Sequence, residues 1–406
     1  MAKYRDEAYE EERVAPKKKK SSGSGSKGSG SRPSSGKKPS GKKSSGRKGS
    51  GRKVSSKKEQ AKKQRRRIII FVIEIIILVI AVFVLYTVLS GTKSGKLDLN
   101  DDEIIINPQV REAEETTMKG YRNIALFGVD STTGALTKNT RSDTIMIASI
   151  NQDTGECRLV SVYRDTYLNL SNDSYNKCNA AYAKGGPEMA INMLNMNLDL
   201  NITDFVTVGF AGLTDTIDAL GGVYIDVDNS EISHLNNYQL CIAEDLKRSY
   251  TPVSSTGYQL LDGLQATGYC RIRYTAGDDF KRAERQREVL SAVADQAKKA
   301  SLPQLTETAN AVFDKVYTSL DLSEIIEMLG NVTTYYISET AGFPQESNRA
   351  TGRIGSKGSC VIPVSLEDNV RWLHQFLFDD SSYEPSDDVK RCSEKIYQDT
   401  NGYIGK

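Results

Sequence analysis

Apolar positions change character several times along this chain, and each change predicts a different kind of segment. Residues 1–67 hold almost none, and 21–53 is little more than Ser, Gly, Lys and Arg. Such a stretch stays a solvated coil because it has no apolar surface to offset the entropy of ordering. Residues 68–89 are the reverse, 22 positions with one ionisable side chain, Glu74. At about 1.5 Å per residue that run spans the roughly 30 Å apolar core of a bilayer, so it predicts a single transmembrane helix. Residues 90–117 turn polar and acidic and read as a linker.

From 118 onward short apolar runs alternate with helical patterns. NIALFGVD (123–130), DTIMIASI (143–150), RLVSVYRDTYL (158–168), FVTVGF (205–210), VYIDVD (223–228) and CRIRY (270–274) read as strands. Helices are expected near Pro187 to Leu198, around Leu213 to Leu220 and from Phe280 to about Lys299. This alternation predicts an α/β domain over 118–297 with both faces of its sheet covered. Residues 298–406 read as a separate, mainly helical extension, with LSEIIEMLG (322–330) and SLEDNVRWLHQFLF (365–378), the latter capped by Ser365 ahead of acidic residues.

Charge fixes the topology. The whole chain has a formal net charge of only +2, yet residues 1–67 carry 24 Lys+Arg against 6 Asp+Glu, and the rest carry 30 against 46. Ten Lys+Arg lie within 20 residues before the span and two within 20 after it, which places the tail in the cytoplasm and the α/β domain outside. The long tail and the lack of an Ala-x-Ala-like site predict an uncleaved signal anchor. A Lys-rich segment beside a membrane is explained by anionic lipid, so no nucleic-acid partner is expected.

Only two histidines, His234 and His374, are present, which excludes a multi-His zinc site. Walker-type, GxGxxG and CxxC patterns are absent, and neither His lies near a GxSxG elbow. His374, within an amphipathic helix, reads as a packing or surface residue. Six cysteines outside the membrane suit disulfides, with 15 full pairings open. Cys360–Cys392, Cys241–Cys270 and Cys157–Cys178 form one natural set.

The remaining chemistry is arginine. Residues 120–290 hold 10 Arg and 5 Lys, whereas the tail holds 8 and 16. Arginine forks suit bidentate recognition of phosphate or carboxylate. Arg271 and Arg273, two apart in an expected strand, would share one face. Arg282, Arg285 and Gln286 stand at i, i+3 and i+4 near a helix N-terminus, itself favourable for anions. Arg164 and Asp165 follow a strand, where ligands collect in open α/β sheets. Asp130 and Asp143 sit at strand ends beside Arg141, and two carboxylates near several Arg make a plausible Mg²⁺ site completed by phosphate oxygens.

Seven segments in order, NIALFGVD, RSDTIMIASI, VSVYRDTYL, KCNAAYAKGG, DALGGVYIDV, GYQLLDGLQATGYCRIRY and DDFKRAERQREVL, resemble the LytR-CpsA-Psr family of membrane-anchored cell-envelope proteins over about 121–297. The resemblance implies a three-layer α/β/α sandwich that binds a polyprenyl pyrophosphate-linked glycan, such as wall teichoic acid or capsule. It further implies transfer of the glycan phosphate to peptidoglycan, typically to the 6-hydroxyl of N-acetylmuramic acid. Asp130 and Asp143 match the family's Mg²⁺-pyrophosphate carboxylates. Arg164, Arg271, Arg273, Arg282 and Gln286 match its pyrophosphate-binding residues. Arg141, Asp165, Asp279, Arg285 and Asn179 also fall within its motifs, with Asp165 the expected general base. Tyr163 stands where Pro is frequent and Ile272 where Lys is frequent. INMLNMNLDL (191–200) is a candidate wall for the lipid groove, although core packing suits Met193 and Met196 better. The competing functions are an envelope-related transcriptional attenuator and a non-catalytic glycan-binding scaffold.

Overall fold

The computed structural model of the chain describes residues 97, 99, 103–131, 136–137, 139–273 and 278–404. The basic tail, the expected span 68–89 and most of the first half of the linker lie outside the described residues. Among the described residues no helix is long and apolar enough to cross a membrane.

In chain order the elements are α1 (Pro108–Glu114), β1 (Tyr121–Val129), β2 (Ser142–Asn151), β3 (Glu156–Val162), β4 (Tyr167–Asn169), β5 (Tyr175–Lys177) and α2 (Asn179–Leu198). They continue as β6 (Asp204–Val208), α3 (Phe210–Ala219), β7 (Val223–Val227), α4 (Asn229–Leu246), β8 (Gly257–Leu261), α5 (Gly263–Tyr269) and α6 (Asp278–Ala297). The last third supplies α7 (Leu302–Val312), β9 (Val316–Thr318), α8 (Leu322–Gly330), β10 (Tyr336–Phe343), β11 (Arg349–Arg353), β12 (Ser359–Pro363), α9 (Leu366–Phe378) and α10 (Asp387–Thr400).

Six strands form a mixed central sheet in the order β10-β3-β2-β1-β6-β9. Pairs β10–β3 and β1–β6 are parallel, and the other three are antiparallel. Both faces are covered, as the near-continuous apolar strands predict. On one face Ala125, Phe127, Ile145, Ile147 and Val160 pack with Ile191 and Leu194 of α2. On the other, Ala148 and Leu159 meet Leu290 of α6. Met193 is fully buried in the first of these cores, with Met196 packed against it, so both serve packing. A smaller lobe pairs β7 with β8 alone and buries Ile225, Leu235, Leu261 and Ile272.

Three expectations change. Residues 298–406 are mainly helical as expected but not separate: β9 and β10 close the two edges of the central sheet, and α9 and α10 bury Leu373, Leu377 and Val389 in the main core. The sequence hid this because a short edge strand such as YISETAGF has little apolar periodicity. The described part of the linker is integral too, since Val110 of α1 is fully buried and Asn107 donates to Asp199 Oδ1 at 2.6 Å. That carboxylate also accepts from Ser386 N and Oγ, at 2.7 and 2.6 Å, and so binds the start of α10 to the end of α2. Cys270 to Arg273, the described part of CRIRY, finally, do not form a strand. Asp262 and Gln265 form a capping box that starts α5, and Cys270 and Arg271 continue its last turn.

The helix expected from Pro187 begins earlier, at Asn179, and breaks at Gly186 with φ +71°. A Cβ there would stand 2.7 Å from the Thr137 carbonyl oxygen, so the position suits only glycine, and Pro187 restarts the helix. Ser365 caps α9 as expected, accepting from Asp368 N at 3.2 Å. All six cysteines are free thiols, and the pairing set out above is wrong. Cys157 and Cys178, for instance, lie in the cores of opposite faces of the sheet.

Candidate active site

The carboxyl end of β3, the start of β2 and the N-terminal turns of α6 converge on a cavity of about 120 Å³. Asp143 enters from β2, Arg164 and Asp165 from the turn after β3, and Asp279, Arg282 and Gln286 from α6. This is the strand-end crevice of an open α/β sheet, facing the positive end of a 20-residue helix. The fourth wall, Thr351, Ser359, Cys360 and Val361, is the β11–β12 hairpin, held by the Val361 amide donating to the Asp165 carbonyl at 2.9 Å.

Three guanidinium groups share two carboxylates here. Arg164 Nη1 donates to Asp143 Oδ1 at 2.8 Å, and its Nη2 lies 3.8 Å from Asp279 Oδ2. Arg282 Nη1 is 3.8 Å from Asp143 Oδ2 and 3.5 Å from Asp279 Oδ1, while its Nη2 donates to the Asp143 main-chain oxygen at 3.2 Å. Arg273 Nε stands 3.4 Å from Asp279 Oδ1, with Nη2 4.0 Å from Asp143 Oδ2. Most of these distances exceed a hydrogen bond. Arg164 Nε, Arg282 Nε, Arg273 Nη2 and Asp279 Oδ1 are buried without any hydrogen-bond partner. Orphaned buried polar atoms are rare and costly, and these four, three of them on residues that line the cavity, mark where a ligand's own polar atoms belong.

The electrostatics agree. Burial pushes the Asp143 carboxyl up, but Arg164, Arg282 and Arg273 together outweigh it and hold it well below the usual carboxylate range. Asp279 is depressed in the same way, burial being overcome first by Arg282 and then by Arg164 and Arg273. Arg282 pays for its position: burial, followed by repulsion from Arg164, brings it down to about 10. Arg164, Arg273, Arg282 and Lys177 against Asp143, Asp165 and Asp279 leave one positive charge in excess around the cavity, which suits an anion. Cys360 is no nucleophile, since burial raises its thiol to about 11.

The predicted residues sort clearly. Asp143, Arg164, Asp165, Arg282 and Gln286 line the cavity, and Arg273 reaches the same carboxylates. Asp165 is not a free base, because Lys177 Nζ lies 3.2 Å from its Oδ1. Gln286 Nε2 donates to the Cys270 carbonyl at 3.4 Å. Arg271 does not share a face with Arg273; without a strand the two diverge, and Arg271 stacks on Phe210, 4.4 Å from the ring centroid. Arg285 is structural: 2% exposed, it donates through Nε to Glu231 Oε1 at 2.7 Å and through Nη1 to the Ile272 carbonyl at 3.1 Å. Ile272 itself is fully buried, so a Lys there would be costly. Asn179 is buried at the start of α2, and its amide donates to the Arg164 carbonyl at 3.1 Å, supporting the loop from behind. Arg141 is exposed. Neither Arg141 nor Asp130 lines the cavity, although Asp130 follows Val129, whose register partner Ser142 precedes Asp143. His374 is fully buried, stacked at 3.5 Å on Tyr383, and donates to the Leu198 carbonyl, a packing role.

Sequence reasoning missed Lys177, the β11–β12 wall and the pairing of Tyr163 with Phe280, whose rings meet edge-on at 4.6 Å. A signal existed only for the first. The Asn172-Asp173 turn folds β4 back on β5, and the register Tyr167↔Lys177 brings Lys177 to Asp165.

The donor set also bears on a metal. Among the described residues no group of three or more His, Cys, Asp or Glu could hold a metal ion; Asp143 and Asp130, at neighbouring ends of paired strands, are the two hard oxygen ligands to which water and phosphate oxygens would have to be added.

Known proteins place the chain. Curated relatives include the polyisoprenyl-teichoic acid–peptidoglycan teichoic acid transferase TagU of Enterococcus faecalis, 30% identical over 206 residues, 50% of this chain and 63% of that protein. TagT of Bacillus subtilis, described by the same activity, is 27% identical over 52% of this chain and 64% of its own length. The chain thus matches a little under two thirds of these transferases. Biofilm regulatory protein A of Streptococcus mutans is 30% identical over 64% of this chain and 71% of its own. The fold resembles a solved Enterococcus faecalis protein described as a transcriptional regulator, with TM-score 0.54, 24% identity and coverage of 71% of this chain and 98% of that one. It also resembles Bacillus subtilis TagV, with TM-score 0.52, 24% identity and coverage of 66% and 99%. The LytR_cpsA_psr family matches residues 83–354, well over half of the sequence, and the chain therefore belongs to the LytR-CpsA-Psr family.

Proposed function

We propose that this protein is a membrane-anchored phosphotransferase that moves a glycopolymer phosphate, from teichoic acid, capsule or a similar polymer, from a polyprenyl pyrophosphate carrier to peptidoglycan. The observation that carries this reading is the under-satisfied cluster of Arg164, Arg273 and Arg282 around Asp143 and Asp279, whose orphaned nitrogens suit diphosphate oxygens. The names of the TagU and TagT relatives supply the donor and the acceptor. Residues 68–89 would be the anchor, the basic tail would remain in the cytoplasm, and the domain, a three-layer α/β/α arrangement, would work outside the membrane.

In this reading the acceptor sugar's hydroxyl oxygen bonds to the glycan-side phosphorus, and the bond from that phosphorus to the bridging oxygen breaks. The polyprenyl phosphate leaves with the electron pair. Arg164 and Arg282 hold the charge that develops on the leaving phosphate, in a buried site where such contacts are strong. Asp165 takes the hydroxyl proton at a carboxylate oxygen once the donor's phosphate draws Lys177 away from it. Mg²⁺, held by Asp143 and Asp130, would supply further positive charge at the phosphate oxygens.

The test is to incubate the purified full chain in detergent with Mg²⁺, a polyprenyl pyrophosphate-linked glycan and peptidoglycan oligomers, and to look for the phosphodiester product. Arg164→Ala and Asp143→Ala should each abolish transfer with the circular dichroism spectrum unchanged. Full activity in either variant would sink the site. Donor binding without product from the native chain would favour the scaffold reading.

A further inference from the structure

Phe280 lies between Asp279 and Arg282 on α6, and Tyr163 directly precedes Arg164, so the edge-on ring pair stands behind three of the charged groups in the cavity. One side chain from the C-terminal third grips both rings. The Arg349 guanidinium carbon is 4.0 Å from the Phe280 ring centroid and 5.2 Å from that of Tyr163, and Arg349 Nη1 donates to Tyr163 Oη at 3.2 Å. Its ion-pair partner among the described residues, Glu346, lies 3.8 Å away on a side chain 91% exposed and competes weakly with the rings. The Arg349 side chain is only 16% exposed, and a cation on an aromatic face is held more firmly when water is excluded. Arg349 also opens β11, pairing with Pro363 in the hairpin whose Thr351 and Val361 wall the cavity. Tyr163 is built into this arrangement. Its amide donates to the Phe343 carbonyl at 3.0 Å, a bond that the proline frequent here in the family cannot make. Gly342 leaves room for its ring, since a Cβ there would stand 2.0 Å from Tyr163 Oη. Tyr163 and Phe280 line both this cavity and a second one of about 500 Å³, and with Arg349 they form the rim between the two. Trp372, the only tryptophan in the chain, lines the second cavity and so reports on that rim.

The charges in front of these rings need a brace. Arg164 and Asp279, and likewise Arg282 and Asp143, stand 3.8 Å apart across the gap between α6 and the strand ends. Opposite charges attract more strongly as they approach, so both pairs would close if α6 could move toward the turn after β3. Closed pairs would use up the donors that a ligand needs. We propose that Arg349 is a positioning residue for the diphosphate site: by clamping Phe280 to Tyr163 it fixes α6 against that turn at the separation that keeps these two pairs open. Arg349 does not itself line the cavity, and it acts through the two rings. The C-terminal hairpin thereby sets the spacing of arginines that lie far from it in sequence. This inference rests on the diphosphate reading of the cavity.

The test is calorimetric titration of the purified full chain in detergent with geranyl pyrophosphate, in the native protein, Arg349→Met and Arg349→Lys, each well below its unfolding midpoint. Methionine keeps the bulk of the side chain and loses the cation, whereas lysine can still place a cation on the Phe280 ring. The expected result is about tenfold weaker binding in Arg349→Met and recovery to within about threefold of native in Arg349→Lys. Native affinity in Arg349→Met, or a loss that Arg349→Lys does not recover, would overturn the proposal. If Arg349→Met does not fold, Arg349→Gln, which can still donate to Tyr163 Oη but carries no charge, takes its place with the same tenfold expectation. The two ideas fail differently: absence of binding by the native chain removes the diphosphate reading and the brace with it, whereas native binding that Arg349→Met leaves undiminished removes only the brace.

Discussion

Arg282 and Arg285 lie one turn apart on the same helix, both at least 95% buried, yet they face different worlds. Arg285 looks into the smaller lobe, where Glu231 meets it at 2.7 Å and the Ile272 carbonyl accepts a second bond. Arg282 looks into the cavity, with both carboxylates at 3.5 Å or more and its Nε unpartnered. Burial is therefore no guide to function in this helix; completeness of hydrogen bonding is. The fully satisfied arginine holds the protein together, and the arginine left wanting is the one prepared for a ligand.

The comparison can be broken from either side. Arg285→Met leaves Glu231 buried without its cation, and should cost about 3–5 kcal/mol of stability, read as a lower denaturant midpoint. A loss below about 1 kcal/mol would mean that the pair is not structural. His374 gives an independent test in the C-terminal third, where burial holds its imidazole at about 4. The folded chain then binds fewer protons than the unfolded chain below the ordinary histidine value of about 6.5. Stability should accordingly be intact above about pH 6.5 and fall by about 3 kcal/mol as the pH drops to 4. His374→Phe should flatten that slope, and an unchanged slope would assign it to other groups. The smallest effect is expected at Gly342→Ala, where the new methyl group meets the Tyr163 ring. Overpacking of this kind costs about 1–3 kcal/mol, and Trp372 emission should shift as the rim moves.

Much of this was legible in the sequence, for physical reasons that can be named. Buried strands such as DTIMIASI announce themselves by apolar content, and Asp143, Arg164 and Arg282 by their places at strand and helix ends. Arg271 was misread because spacing gives direction only once the element type is known, and Arg285, on a helix that was expected, because its partner Glu231 lies 54 residues away on α4. CRIRY has strand composition, yet the capping box at Asp262 commits the preceding residues to a helix. The hairpin wall at Ser359–Val361 was invisible because β10 and β12 are brought to the site by sheet pairing across the chain. The excess of orphaned atoms, the most informative feature, is a property of distances and has no sequence signature.

The central claim is that the incompletely bonded arginines form the diphosphate site. The direct measurement is calorimetric titration of the purified full chain with geranyl pyrophosphate, native against Arg282→Met. The account predicts saturable binding by the native chain and about 100-fold weaker binding by the variant, equivalent to about 2.7 kcal/mol, with the unfolding midpoint unchanged or raised. Equal affinity in the two proteins would contradict it.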